Sequence, residues 1–399
     1  MNISIKAGIL PVALLNTVAM TAANDSIVWK RQVYSTGHVR FRQEVLASPA
    51  MRNYLHTPSI SEFSVYATTE PAAAARIPQV GRGGKQFGME ASSFQQLGAN
   101  SVVWGKASYQ NGKKYDVTWN ETSDFLLLYP YVMGDAKGGD QNYESYRLDG
   151  GYSTRHGKTC YGVDLGYRTL SEYRDCDPRP NNTVADLYAQ GGIGLNIWGS
   201  YSVALTATVG KYKQTNELAF YNELGTQMVY HLTGIGNDFT RFSGQGKNCF
   251  YKGYSIGAEI SMASKETTGW SASAGYLFTR KEKVLTDLNR LPLNRLEVNS
   301  LDGAVGYNNE DYGVRLTGNV AQRKGIDNLF GDATGNIYPQ IGSRKQYDGK
   351  IKKIKAEGFW NVNWTEKTDV NIEPEIACAS FKNSHHTSGN LLKSSDLTM

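Results

Sequence analysis

Apolar and polar residues alternate one by one along several long segments of this chain. Between residues 254 and 262, Tyr, Ile, Ala, Ile and Met occupy every second position, and Ser, Gly, Glu and Ser stand between them. Successive side chains of a β-strand point to opposite faces, so this period of two predicts strands with one apolar and one polar face. The same alternation recurs at residues 187–197, 201–209, 270–279, 314–320 and 356–364.

The length of these segments and the residue types on their two faces favour a membrane barrel over a β-sandwich in water. Many run for about ten residues or more, enough to cross a bilayer at a tilt. Their apolar faces often begin or end in an aromatic residue, and their other faces mix Ser, Thr and Asn with charges of both signs. Beyond residue 23 the longest apolar run is Phe125–Met133, too short for a membrane helix. Because only helices and closed barrels satisfy their backbones in lipid, we expect a transmembrane antiparallel β-barrel of about 16 strands.

Fifteen of these strands are visible in the pattern. The turns between them alternate between short connections, such as Arg155–Thr159, and long ones near 171–185, 214–248, 281–295 and 323–347. An odd count conflicts with the even number usual in such barrels, so either the C-terminus is truncated, which we favour, or one strand is missed or invented. The strands are predicted at 62–69, 85–95, 101–110, 114–120, 125–133, 143–154, 160–170, 186–198, 201–213, 249–264, 269–280, 296–307, 312–322, 348–364 and 368–382.

The two ends of the sequence are predicted to differ from the barrel segment, 62–382. Residues 1–23 have a positive Lys6, an apolar stretch and small residues at Thr21 and Ala23, which indicates a cleaved signal peptide and export to the outer membrane. Residues 24–61 are either a periplasmic lead or a small plug in the lumen. Residues 383–399 are polar and are expected to be a tail or the start of a missing segment.

Composition narrows the classes of partner. Aromatic residues make up 11% of the chain, with 25 Tyr, which excludes a disordered protein. The net charge of +5 is spread along the chain and gives no reason to expect nucleic-acid binding. The expected partners are outer-membrane lipid and another outer-membrane or uptake protein.

Two groups of residues are predicted to face the two environments of the barrel. Charged side chains on the polar faces should point into the lumen, where they either set solute selectivity or pair with one another to fill it. These are Arg147, Asp149, Asp164, Arg168, Asp186, Glu259, Arg315, Lys355 and Glu357. Aromatic side chains on the apolar faces should lie at the lipid interface. These are Tyr161, Tyr167, Tyr201, Trp270, Phe278 and Trp364.

Catalytic and metal-binding residues are not predicted. The four cysteines show no CxxC spacing, and Cys176 with Cys249 is the one pair whose positions would allow a disulfide, although we favour unpaired cysteines. His156 lies three residues after Ser153, but nothing else supports a lipid-cleaving pair there. No cofactor is expected.

The segments GYSIGAEISMAS and GWSASAGYLFTRKEK, together with the signal peptide, resemble outer-membrane β-barrel proteins of Bacteroidota. In particular, they resemble an uncharacterised family with a single barrel of about this size. The resemblance implies an accessory role in transport.

Three functions therefore stand as hypotheses. The first is a passive pore or an accessory component of nutrient uptake. The second is an interaction protein that has a plugged lumen and binds a partner through its long extracellular loops. The third, the weakest, is an interfacial lipid-modifying enzyme.

Overall fold

A computed structural model describes most of the chain beyond its first 36 residues. The predicted signal peptide lies outside the described residues. Side chains are not described for residues 71, 362–365, 368–371, 387 and 390–398. Within the described part, no helix is long and apolar enough to cross a membrane. The described ranges are 37–55, 57–71, 74–222, 227–244, 248–335, 337–365, 368–387 and 390–398.

The wall of the protein is one antiparallel sheet of 15 strands, in which successive strands pair with one another, except that the short strand Thr368–Ile372 pairs only with the strand before it. This confirms the predicted fold class. Three short strands form a second sheet: β4 (Met133–Gly134), β9 (Tyr230–Gly234) and β10 (Asn237–Asp238). The wall comprises β1 (Ile60–Pro71), β2 (Gly83–Gln96), β3 (Ser101–Val117), β5 (Gly139–His156), β6 (Thr159–Tyr173), β7 (Arg179–Trp198), β8 (Tyr201–Ala219), β11 (Cys249–Ser264), β12 (Gly269–Leu285), β13 (Leu291–Asn308), β14 (Tyr312–Phe330), β15 (Gln340–Thr365), β16 (Thr368–Ile372), β17 (Glu375–Thr387) and β18 (Asn390–Thr398).

The register of the wall makes its outer face a continuous apolar band. Ile256 on β11 lies directly opposite Val209 on β8 and Phe278 on β12, so apolar side chains from successive strands share one level. Ile256 is 55% exposed and Leu301 is 60% exposed. Large apolar side chains so exposed in a contiguous band require an apolar surrounding, which here is lipid.

Several predicted boundaries were wrong. The strands predicted at 101–110 and 114–120 are one strand, β3, and the predicted strand 125–133 is not part of the wall. The predicted polar tail contains the end of β17 and all of β18, because a backbone ladder forms without any apolar alternation. The predicted odd count, which suggested a truncated C-terminus, arose from these wrong assignments. Because β16 and β17 both pair with β15, the 15 strands occupy fourteen positions in the sheet.

Three of the predicted long loops, 171–185, 281–295 and 323–347, are also mostly strand. β6 ends at Tyr173 and β7 begins at Arg179, while only a few residues separate β12 from β13. Beyond the lipid both faces of a strand meet water or protein, so the alternation disappears although the hydrogen-bonded ladder continues. The short turns at the other end agree with the prediction. Gly157, at φ +61°, provides the left-handed turn between β5 and β6.

Residues 37–55, which we call the N-terminal plug, fold against the inner face of the wall. Helix α1 (Gly37–Val45) and a 3₁₀ helix (Pro49–Tyr54) form this segment. Most of its apolar side chains are buried, and Leu46 and Met51 are fully so. The other described helix, α2 (Phe125–Leu128), lies in the connection between β3 and β5.

We expect Gly162→Ala to loosen the plug. A Cβ on Gly162 would lie 2.1 Å from the Pro49 carbonyl oxygen, so the 3₁₀ helix must shift. The expected loss is about 1–3 kcal/mol of stability, measured by chemical denaturation, with faster proteolysis near residue 50. The matched control is Gly191→Ala, where nothing lies within 4 Å of the added Cβ. Equal effects of the two substitutions would contradict this account.

Candidate functional site: the barrel interior

The N-terminal plug is hydrogen-bonded to one side of the wall through three polar side chains. The Ser48 Oγ lies 2.8 Å from the Thr206 Oγ1 on β8. The Asn53 amide donates to the Ser153 Oγ on β5 at 2.9 Å, and the Tyr54 hydroxyl donates to Asn196 on β7 at 2.6 Å. The small polar residues of the inner face are therefore partners of the plug.

The same segment reaches the opposite side of the wall. Phe41 packs edge-on against Phe359 of β15, with ring centroids 5.3 Å apart, and Glu44 forms an ion pair with Arg315 of β14 at 2.8 Å. Arg42 is buried and donates to the Ser264 carbonyl oxygen at 3.2 Å. Burial lowers the pKa of the Arg42 guanidinium to about 10. Contacts on β5, β7, β8, β14 and β15 mean that the plug crosses the lumen near the short turns.

A second segment crosses the lumen at the other end. This inserted loop, residues 118–138, joins β3 to β5 and contains α2 and β4. Arg323 on β14 donates to the Tyr129 carbonyl oxygen at 2.7 Å, and Lys283 on β12 donates to the Val132 carbonyl oxygen at 2.8 Å. Asp124 accepts from Arg168 on β6 at 2.6 Å. Because these strands lie on different sides of the wall, the loop spans the interior.

A buried ion cluster fixes the base of the inserted loop. The Arg174 guanidinium contacts the Asp135 carboxylate at 2.7 Å and the Glu121 carboxyl at 3.1 Å, and all three side chains are at most 1% exposed. Burial raises the pKa of Glu121 well above that of an ordinary glutamate, and the neighbouring Asp135 raises it further, against the opposing effect of Arg174. The cluster therefore favours a protonated Glu121 beside an Arg174–Asp135 pair.

Apolar side chains of the wall and of the connection between β8 and β11 pack against the inserted loop. Val132 and Met133 belong to a buried cluster with Leu285 and Leu293 of the wall. Phe242, from the connection between β8 and β11, joins this cluster, and β9 pairs with β4. That connection lies within the predicted long connection 214–248, and its described part packs onto the inserted loop.

The predicted lumen charges lie on the inner face, between the two closures or in contact with them. All except Asp164 and Glu259 take part in ion pairs among the described residues. Arg315, for example, contacts Glu357 at 3.4 Å as well as Glu44 of the plug. The charges therefore largely pair with one another, and their role in selectivity remains a prediction.

One polar network on the inner face extends across four strands. Arg147 pairs with Asp149 at 2.6 Å, and the Tyr188 hydroxyl lies 3.0 Å from Asp149 and 2.9 Å from Asp164. The Trp104 indole N–H donates to Asp164 at 2.7 Å. Tyr188 and Trp104 were not predicted as site residues, because only charged side chains of the polar faces were selected as lumen candidates.

The predicted interface aromatics lie on the outer face wherever their side chains are described. Tyr161, Tyr167 and Trp270 are between 42% and 57% exposed, while Tyr201 and Phe278 are partly covered by neighbours. Trp364 belongs to β15, but its side chain is outside the described part. Two more exposed tryptophans, Trp198 and Trp360, lie near Trp270's end of the wall, the end with the short turns.

The remaining sequence-based candidates do not form a reactive site. Ser153 points into the plug, whereas His156 lies three positions along the same strand and therefore on the other face. The four cysteines are free, and the Cys249 thiol contacts the Met133 sulfur. His385 was expected in a polar tail but is buried beside Tyr129 and Tyr347. Within the described ranges, no cluster of His, Cys, Asp and Glu suits a metal ion.

Residues 49–399 match the model of a family of unknown function, DUF6850. The chain belongs to this family. The match begins inside the N-terminal plug and covers the whole wall, so the plug's 3₁₀ helix and the inserted loop are parts of the DUF6850 region. No curated protein matches the sequence.

Solved structures with a similar fold include outer-membrane receptors and transporters. The ferric preacinetobactin receptor BauA from Acinetobacter baumannii has 8% identity and a TM-score of 0.40, with 82% of this chain and 70% of BauA covered. The ferric-catecholate import receptor Fiu from E. coli K12 has 6% identity and a TM-score of 0.38, covering 86% and 61%. The toluene transporter TodX from Pseudomonas putida has 10% identity and a TM-score of 0.31, covering 86% and 92%. The DUF6850 chain thus spans less than two thirds of Fiu.

We expect Arg174→Ala to release the inserted loop. The substitution leaves Asp135 and Glu121 buried without their cation, at an expected cost of about 3–5 kcal/mol. Hydrogen exchange of the amides in 118–138 should show the loss of protection. The control is Arg179→Ala. The Arg179 side chain is 41% exposed and pairs with Asp177, so its loss should leave this protection unchanged.

The inserted loop should be held less stably in the lumen as the pH rises. The folded cluster holds the Glu121 proton more tightly than an extruded loop would, so its contribution is complete below the ordinary glutamate pKa and is lost through the raised pKa. Exchange protection of the loop, corrected for intrinsic rates, should therefore fall as the pH rises above the ordinary glutamate range. In Glu121→Gln, which stays neutral, that pH dependence should disappear. A wild type with pH-independent protection would rule out this role for Glu121.

Proposed function

We propose that this DUF6850 protein is an outer-membrane barrel that serves as an accessory component of nutrient uptake in a Bacteroidota envelope, and that its lumen is closed at rest. The observation that carries the proposal is the double crossing of the lumen, by the N-terminal plug at one end and by the inserted loop at the other. A passive pore needs an open aqueous path, and two segments packed across the lumen in series oppose one.

The contacts of the two segments suggest that they differ in mobility. The plug is bound mainly by apolar packing and by neutral hydrogen bonds to β5, β7 and β8, and the Glu44 side chain of its ion pair with Arg315 is 52% exposed. The inserted loop is bound by charged groups, namely Arg168, Arg174, Lys283 and Arg323. A network held by charges responds to pH and to a charged ligand, so the inserted loop is the better candidate for a gate.

Such a gate would control access to the charged section of the lumen between the two closures. Between the closures the wall presents ion pairs such as Arg147–Asp149, with side chains that are 48% and 16% exposed. A polar, partly hydrated section of this kind suits a hydrophilic solute.

The alternative is an interaction protein whose lumen stays plugged. The buried cluster at Arg174 favours it, because breaking such a cluster is costly. Under this alternative the two closures are permanent parts of the fold, and the outer surface of the loops binds the partner.

Single-channel conductance in a planar bilayer tests the proposal with four proteins. These are the mature chain, a variant lacking residues 24–57, a variant with 120–134 replaced by a Gly-Ser linker, and the combination. Because the closures lie in series, we expect only the combination to conduct steadily, while the loop variant shows only the brief openings that transient release of the plug allows. Heat-modifiable migration on gels controls for folding.

The outcomes separate the two hypotheses. Transient openings of the wild type that increase at high pH or in Arg174→Ala would support a gated uptake component. A wild type that stays silent under all these conditions, with a conducting double variant, would favour the plugged interaction protein. Steady conductance of the wild type would contradict both.

A further inference from the structure

A basic cleft lies on the outside of the wall, away from the lumen and its closures. It has a volume of about 480 Å³ and lies where β11, β12 and β13 rise beyond the apolar band. Four basic side chains line it (Lys252, Arg280, Arg290 and Arg295) together with one acidic side chain, Glu282. The ionisable groups of its lining therefore carry a net positive charge.

The register places this cleft directly beside the lipid-facing surface. Lys252 lies opposite Glu282, which lies opposite Arg295, so these residues form one row across three strands. Two residues along β11, roughly 7 Å, Tyr254 begins the exposed apolar band, followed by Ile256. The cleft is thus at the level at which hydrocarbon gives way to headgroups on the side of the long connections.

The cations of the cleft are only partly neutralised. Glu282 accepts from Arg280 at 2.5 Å and contacts Lys252 at 3.2 Å, so one carboxylate serves two bases, while Arg295 contacts Glu297 beside the cleft at 3.2 Å. Arg290 has no ion pair within 4 Å among the described residues, and its guanidinium lies over the Phe250 ring at 5.3 Å from the centroid. A site with surplus fork-shaped donors beside an aromatic ring suits an anion with several oxygens.

The backbone at Arg290 supports a built site. Arg290 and the preceding Asn289 both have left-handed conformations, with φ of +57° and +51°, in the turn between β12 and β13. Such conformations are unfavourable for residues other than glycine, and they persist where the surrounding structure imposes them. The turn directs Arg290 to the cleft.

Neighbouring strands continue the positive charge along the same level. Lys213 on β8 lies opposite Lys252, and Lys211 lies opposite Tyr254. At the other end of the wall the outer face carries aromatic residues instead, including Trp198, Trp270 and Trp360. The outer surface is therefore polarised, with bases on one side of the apolar band and aromatics on the other.

We propose that this cleft binds the phosphate of a phosphorylated lipid headgroup in the leaflet on the side of the long connections. A free phosphate would satisfy the same cations, but the position beside the apolar band brings a phosphate that is attached to an acyl-chain anchor to the cleft. This inference does not depend on whether the lumen conducts.

Binding of bisphosphorylated lipid A to the detergent-solubilised full chain tests the proposal. In the variant Lys252→Gln/Arg290→Gln/Arg295→Gln, the affinity should fall at least about tenfold. The matched control, Lys85→Gln/Lys350→Gln/Lys352→Gln, removes the same charge from exposed outer positions away from the cleft and should change the affinity less than about twofold. The single variant Arg290→Gln, in a surface turn, keeps the test valid if the triple variant does not fold.

Two further probes identify the source of the phosphate. Dephosphorylated lipid A should bind the wild type about as weakly as lipid A binds the triple variant, and inorganic phosphate at millimolar concentration should not displace the lipid. Equal losses in the cleft and control variants would overturn the proposal, since they would indicate general surface charge only. Inorganic phosphate that binds as tightly as the lipid would overturn the lipid assignment.

Discussion

The need to satisfy every backbone hydrogen bond within lipid determines the rest of this structure. From β1 to β18 neighbouring strands meet it with a continuous antiparallel ladder, such as the pairing of β14 with β15 from Tyr312 opposite Trp360 to Phe330 opposite Gln340. With its backbone groups paired between strands, the outer face can be wholly apolar. The inner face must then be polar, because successive side chains point to opposite sides. The chain therefore has an interior lined with polar groups that need partners of their own.

Those partners come largely from the chain itself. The N-terminal plug satisfies Ser153, Thr206 and Asn196 at the end with short turns, and the inserted loop satisfies Arg168 and Arg323 at the other end. Buried charges such as the Arg174 cluster are stable only as complete groups, which makes them sensitive to pH and to loss of a partner. The same groups that close the lumen are thus the ones through which it could be opened.

The residues of the outer surface also differ between the two ends of the barrel. Tryptophans at the end with short turns suit an interface where a large amphipathic ring is held by both lipid and water. Bases around the cleft at Arg290 suit a surface of phosphates. This asymmetry gives the barrel a defined direction in the membrane that does not rely on the loops.

The sequence alone determined the wall: its period of two is local, so it predicted which residues face lipid and which face the lumen, and it placed most strands correctly. Tertiary structure alone decided what fills that wall. The apolar run Phe125–Met133 resembles a strand in sequence, but it packs inside against Leu285 and Leu293. The contacts that hold it there join residues far apart, such as Lys283 with Val132 and Arg323 with Tyr129. No pattern within a short window of sequence can specify such contacts, because they exist only once the barrel has brought those strands around the same interior.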